Sequence, residues 1–135
     1  MDTLVKDVGI QTLHDQVVSE VAQRWAKAFR CKVTIRTESD LNPWADPRQQ
    51  SDIAGWAFSP QGDRVLWLGE VETSESLRDS GTHRKWVQSA SAGVPMYLFI
   101  PRGLRTQVES ITAALDVPVT GLYEYSLVNG AVQVS

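Results

Sequence analysis

Between Gln11 and Arg30 the apolar residues Leu13, Val17, Val21, Trp25, Ala28 and Phe29 recur at three- and four-residue intervals. At 3.6 residues per turn these side chains share one side, so the spacing predicts an amphipathic helix. The period then shortens. Lys32 to Thr37 is rich in β-branched residues, with Val33 and Ile35 two apart, and reads as a strand. Asp52 to Phe58 and Arg64 to Thr73 flank Ser59-Pro60-Gln61-Gly62-Asp63, where proline and glycine supply the angles of a reversal, and an antiparallel hairpin is expected. Ser74 to Ala92 favours helix, with an interruption expected at Ser80 and Gly81 and a firmer part from His83 to Ser91.

Pro95 to Ile100 is a nearly unbroken apolar run, which suits a strand buried on both faces and paired in parallel after a helical crossover. Leu104, Val108, Ile111 and Leu115 stand at helical spacing, and Leu122 to Val134 contains Asn129-Gly130, a preferred hairpin turn. The order αβββαβαββ predicts an α/β fold: a mixed central sheet with flanking helices, in which an αβββαβ core is followed by a C-terminal helix and hairpin. At 135 residues the chain is expected to form one domain, 1–135. The stretch poor in apolar residues from Glu38 to Ser51 is too short for an interdomain linker.

Charge narrows the chemistry. Thirteen basic residues against 16 acidic ones give a net charge of −3, which argues against coating nucleic acid by bulk electrostatics and leaves local contact as the route. No apolar run approaches the ~20 residues needed to span a bilayer and no secretory pattern opens the chain, so a cytoplasmic protein without membrane contact is expected. One cysteine, Cys31, cannot form an internal disulfide, and with two histidines, His14 and His83, a thiolate or imidazole zinc cage is excluded. Any metal must be held by oxygen.

Leu66, Leu68, Glu70 and Glu72 alternate along one strand, so two carboxylates are expected to continue a face begun by two leucines. Like charges brought together under partial burial are costly, and a divalent cation would remove the cost. In the expected hairpin Asp52 starts the strand whose partner ends at these glutamates, so three carboxylates converge. Oxygen donors with room for water suit Mg²⁺ or Mn²⁺, and phosphodiester hydrolysis is the chemistry such a site supports, with Glu72 as a candidate base. Read plainly, the same glutamates would be solvated at a sheet edge and Asp52 would cap a turn.

Helix, strand, Asp at the start of a second strand, Glu-x-Glu at the end of a third, then helix and strand: from about Gln11 to Pro101 this pattern resembles the PD-(D/E)XK nuclease superfamily, with its restriction-endonuclease-like fold. The resemblance implies that Asp52, Glu70 and the main-chain carbonyl of Val71 bind Mg²⁺, and that a Glu on the first helix, here Glu20, completes the site. The usual motif Lys is replaced by Glu72. Some active restriction enzymes of the superfamily carry Glu there, and others recruit a Lys from the following helix, where Lys85 is the lysine present.

Around this constellation, His83, Arg84, Lys85 and Gln88 offer a polar helix face to a phosphate or to solvent. Arg24, Lys27, Arg30 and Lys32 gather where a helix dipole favours cations. Trp25, Trp67 and Trp86 are expected in the core and Trp44, in the long loop, as a platform for a base. Cys31 reads as a small buried residue, and His14 as a packing or surface residue rather than a ligand. The sequence therefore points to a Mg²⁺-dependent nuclease-like domain acting on nucleic acid, DNA in preference to RNA, and able to work as a homodimer. The alternatives are a non-catalytic domain of the same fold that binds or assembles, and a structural protein with an exposed apolar patch around Leu122, Tyr123 and Tyr125.

Overall fold

The computed structural model describes residues 12–36 and 50–135. Thr12 opens the first helix: its hydroxyl accepts the main-chain N–H of Asp15 at 3.1 Å, satisfying one of the donors a helix start leaves over. This helix, α1, spans Leu13–Phe29 and ends where Arg30 turns left-handed at φ 52°. Its buried side carries His14, Asp15, Val17, Val18, Val21 and Ala22, whereas Leu13 and Phe29 are exposed. The apolar stripe is thus rotated from the expected one, toward His14 and Val18.

Six strands follow: β1 (Lys32–Ile35), β2 (Ile53–Ala57), β3 (Arg64–Val71), β4 (Met96–Pro101), β5 (Gly121–Val128) and β6 (Ala131–Val134). They lie side by side in sequence order in one sheet. The pairs β1–β2, β2–β3 and β5–β6 are antiparallel, while β3–β4 and β4–β5 are parallel. Each parallel pair needs a crossover: α2 (Ser80–Ala90), preceded by a 3₁₀ turn at Ser76–Arg78, joins β3 to β4, and α3 (Arg105–Leu115) joins β4 to β5. This is the mixed sheet with flanking helices that the sequence predicts.

Side-chain alternation sorts the core into two layers. On one face Val17, Val18, Val21 and Ala22 of α1 pack with Ile53, Trp67, Val71, Phe99, Tyr125 and Val132. On the other, Trp86 of α2 and Val108 of α3 pack with Leu77, Met96, Leu98, Ile100 and Val117. Aromatic rings gather at the first layer, where Trp25 lies 4.6 Å from Tyr97 and 5.0 Å from Phe99 between ring centroids. Trp25 and Trp67 here, and Trp86 in the other layer, take the packing roles expected of them.

Three local expectations change. The β2–β3 register shifts between Gly55 and Trp56, so that Val65 and Trp67 face consecutive residues of β2 and Leu66 is the extra one. Leu66 therefore packs on the α1 side, while Leu68 joins Ala54 and Trp56. At the same place Gly55 is required, because a Cβ there would fall inside the Trp67 indole. Second, Ser80 and Gly81 do not interrupt the helix but open it, and the break falls just before them: the Asp79 carboxylate accepts Gly81 N–H at 2.8 Å, which makes Asp79 a cap and Ser80 the first helical residue. Third, Tyr125 faces inward and is buried rather than forming a surface patch; Leu127 and Val128 are the exposed apolar residues of the hairpin. Its turn is the expected one, with Asn129 at φ 52° and Gly130 at φ 80°. No described helix is long and apolar enough to cross a membrane.

Candidate active site

Asp52 immediately precedes β2, Glu70 lies near the end of the adjacent β3, and the antiparallel register of Ile53 with Gly69 sets the two side by side. The Asp52 main-chain N–H approaches Glu70 Oε1 at 3.4 Å, and Asp52 Oδ2 accepts the Val71 N–H at 2.9 Å. From α2, Lys85 Nζ reaches 3.8 Å from Asp52 Oδ1 and 3.6 Å from Glu70 Oε1. One ammonium thus lies between two carboxylates, one just before β2 and one on β3, and offsets part of their charge. Four residues along the same helix face, Ser89 Oγ donates to Glu70 Oε2 at 2.6 Å and lies 3.0 Å from Ser51 Oγ.

The far side of Asp52 is held by α1. His14 Nε2 lies 3.2 Å from Asp52 Oδ2, and His14 Nδ1 lies 3.0 Å from Oδ1 of Asp15, which is fully buried. The first helix therefore contributes a histidine to the constellation. Glu20, the residue carried over from the resemblance, stands elsewhere: it accepts Arg24 Nε at 2.8 Å and lines a groove against the terminal hairpin with Gln16 and Val132. Six residues along a helix is about 600°, which puts positions 14 and 20 roughly 120° apart. Spacing does contain the signal for His14, because His14, Val18, Val21 and Trp25 form a four-three-four pattern that marks the buried side.

A cavity of about 390 Å³ opens over these groups, lined by His14, Asp52, Val71, Glu72 and Lys85 with Arg36 and Gln88 at its walls. Glu72 has both side-chain oxygens engaged: Oε2 accepts Trp86 Nε1 and Oε1 accepts Ser76 Oγ, each at 2.8 Å. Its carbonyl accepts the Tyr125 hydroxyl at 2.7 Å. Of the other polar residues on α2, His83 Nε2 lies 2.9 Å from the Leu77 carbonyl, and Arg84 is exposed. Trp44 lies outside the described residues. Cys31 is half-buried beside the α1 layer, as expected.

Burial sets the protonation chemistry. Glu70, with no exposed surface, is pushed up from 4.5 to about 7 by desolvation and by the Asp52 charge, with Lys85 and the Ser89 hydrogen bond pulling the other way. Glu72 is also raised, chiefly by burial, against the hydrogen bonds from Trp86 and Ser76. At Lys85 burial favours the neutral amine, but the charges of Glu70, Asp52 and Glu72 outweigh it and hold the ammonium form to higher pH than usual.

Among the described residues no group of three or more His, Cys, Asp or Glu side chains is arranged to hold a metal ion. The donor chemistry nonetheless fits Mg²⁺, which is commonly bound by one or two carboxylates and completes its shell with water and phosphate. Asp52 Oδ1 and Glu70 Oε1 face a common point, the one now approached by Lys85 Nζ. No family model, curated protein or solved structure matches the chain. The functional reading rests on the site itself.

Proposed function

We propose that this chain is a Mg²⁺-dependent nuclease-like domain of the PD-(D/E)XK kind, hydrolysing phosphodiester bonds in nucleic acid, DNA in preference to RNA. The observation that supports it is the meeting of Asp52, just before β2, with Glu70 of β3 and Lys85 of α2 around one point. The motif position that ordinarily carries Lys holds Glu72, and Lys85 supplies an ammonium at the two carboxylates from the following helix. Asp52 and Glu70 would hold the ion, with the Val71 main chain beside them; a bound divalent cation supplies positive charge to a phosphodiester oxygen.

The chain's own groups have separable parts. Val71 N–H and His14 hold Asp52 from two sides, so its second oxygen keeps a fixed direction. Ser89 does the same for Glu70. Lys85, partly exposed at the cavity wall, is placed to donate to a phosphate oxygen and to stabilise the negative charge that grows as water adds to phosphorus and the P–O ester bond breaks. The products are a phosphomonoester and a free hydroxyl.

Incubation of the purified chain with single-stranded, double-stranded and branched DNA, and with RNA, in Mg²⁺ or Mn²⁺ tests the reading. Cleavage by the wild type that Asp52→Asn abolishes is the expected result. A folded wild type that cuts none of these substrates in either metal overturns it and favours a non-catalytic binding or assembly domain.

A further inference from the structure

Glu72 occupies the place of the motif lysine, yet its surroundings are those of a latch. It is nearly fully buried, and every polar atom it has is engaged: the main-chain N–H donates to Phe99 O at 2.9 Å, the carbonyl accepts Tyr125, and the two carboxylate oxygens accept Trp86 Nε1 and Ser76 Oγ. Ser76 Oγ in turn accepts the Thr73 N–H at 2.8 Å, which ties the 3₁₀ turn to the end of β3. We infer that Glu72 is a positioning residue that, through Trp86, sets the rotation and height of α2 and so delivers Lys85 to Asp52 and Glu70.

The geometry carries this through two attachments of one helix, one to β3 and one to the residue that directly follows it. Trp86 on α2 is fixed to Glu72, and Ser89 on α2 is fixed to Glu70. Residues 70 and 72 are about 7 Å apart along a strand, and residues 86 and 89 are about 4.5 Å apart along a helix axis. A single attachment would leave the helix free to turn about it; two at different heights define its azimuth. Lys85 directly precedes Trp86 and lies one turn before Ser89, so its direction follows from theirs. Trp86 has no exposed surface and is packed among Leu77, Met96 and Leu98, which makes its indole a rigid lever rather than a loose contact.

This inference rests on the nuclease reading for its consequence, but its test does not. Trp86→Phe keeps an aromatic ring and removes the donor; Glu72→Gln keeps an acceptor for the indole and presents an amide to Ser76, whose hydroxyl can accept. Lysine acylation followed by mass spectrometry, reading Lys85 against the exposed Lys32 in the same sample, reports how firmly Lys85 is held. Lys85 should be labelled slowly in the wild type and in Glu72→Gln, and roughly threefold or more faster in Trp86→Phe as its opening becomes easier.

Cleavage should fall about tenfold in Trp86→Phe, stay within about threefold of wild type in Glu72→Gln, and fall no further when Trp86→Phe is added to Lys85→Ala. A merely structural role for the indole would make that last pair of losses add. Unchanged Lys85 labelling in Trp86→Phe overturns the inference. So does a Glu72→Gln protein that is as inactive as Asp52→Asn while its Lys85 stays protected, since Glu72 would then act in the chemistry directly. If the wild type cleaves nothing, the nuclease reading fails, and the labelling pattern still decides whether Glu72 places Lys85.

Discussion

Lys85→Ala should bind Mn²⁺ roughly tenfold more tightly than the wild type and yet cleave nucleic acid about 100-fold or more slowly. Both halves follow from one position. The Lys85 ammonium lies 3.8 Å from Asp52 Oδ1 and 3.6 Å from Glu70 Oε1, the same oxygens that would hold a divalent ion. In the resting site it would compete with such an ion, so its removal leaves two carboxylates with less positive charge beside them and a stronger demand for a cation. In the proposed hydrolysis the same ammonium would face a phosphate whose charge is growing, and preorganised charge of this kind is worth ~3–4 kcal/mol of barrier. Metal titration and single-turnover cleavage on the same preparation check the split. Weaker metal binding together with slower cleavage would make Lys85 a structural support of the carboxylates, and unchanged cleavage would remove it from the chemistry.

Glu70→Gln should lose cleavage and gain stability at pH 8. Glu70 is entirely buried and raised to about 7 in the fold against 4.5 when unfolded. Between these two values the native state binds more protons than the unfolded chain, so the stability Glu70 allows is greatest below pH 4.5, falls as pH rises and is fully lost above about 7. The 2.5-unit span corresponds to ~3 kcal/mol. A neutral amide removes that penalty: its carbonyl can face the Asp52 N–H and Lys85, and its NH₂ group can donate to Ser89 Oγ. Denaturant unfolding at pH 5 and pH 8, which covers most of that span, should show the wild type losing stability by about 2–3 kcal/mol more than Glu70→Gln. The slope shared by both proteins includes the contribution of Glu72, which is shifted in the same direction. Parallel slopes would mean that Glu70 is solvated in solution. The trade is the one expected where a buried charge is kept for function rather than for folding.

How far the residues announced this arrangement depends on the distance over which each signal acts. Asp52 and Glu70 were readable because a hairpin and a two-residue period are local: the turn at Ser59–Asp63 sets the pairing, and alternation sets the face. Leu66 escaped because a single extra residue in β3 resets the alternation, and the close approach of Trp67 to Gly55 at that bulge appears only when the two strands are paired. That His14 and not Glu20 meets Asp52 has a different cause. Each sits beside the apolar stripe of α1, and which flank turns toward Asp52 depends on how the helix docks on the sheet, a tertiary fact. Glu72 was placed on the right face by alternation, but its partners Trp86 and Ser76 come from a turn and a helix whose docking no local pattern states. Lys85 is identifiable in the sequence as the lysine of the following helix; its reach to both carboxylates depends on that same docking.

A calorimetric titration of the wild type with Mn²⁺, repeated on Asp52→Ala, bears most directly on whether these carboxylates form a cation site. Saturable binding at one site per chain that disappears in a folded Asp52→Ala protein is the result expected here. Identical heats in the two proteins, or none in either, would contradict it and leave the Lys85 ammonium, among the described residues, as the cation that lies between these two carboxylates.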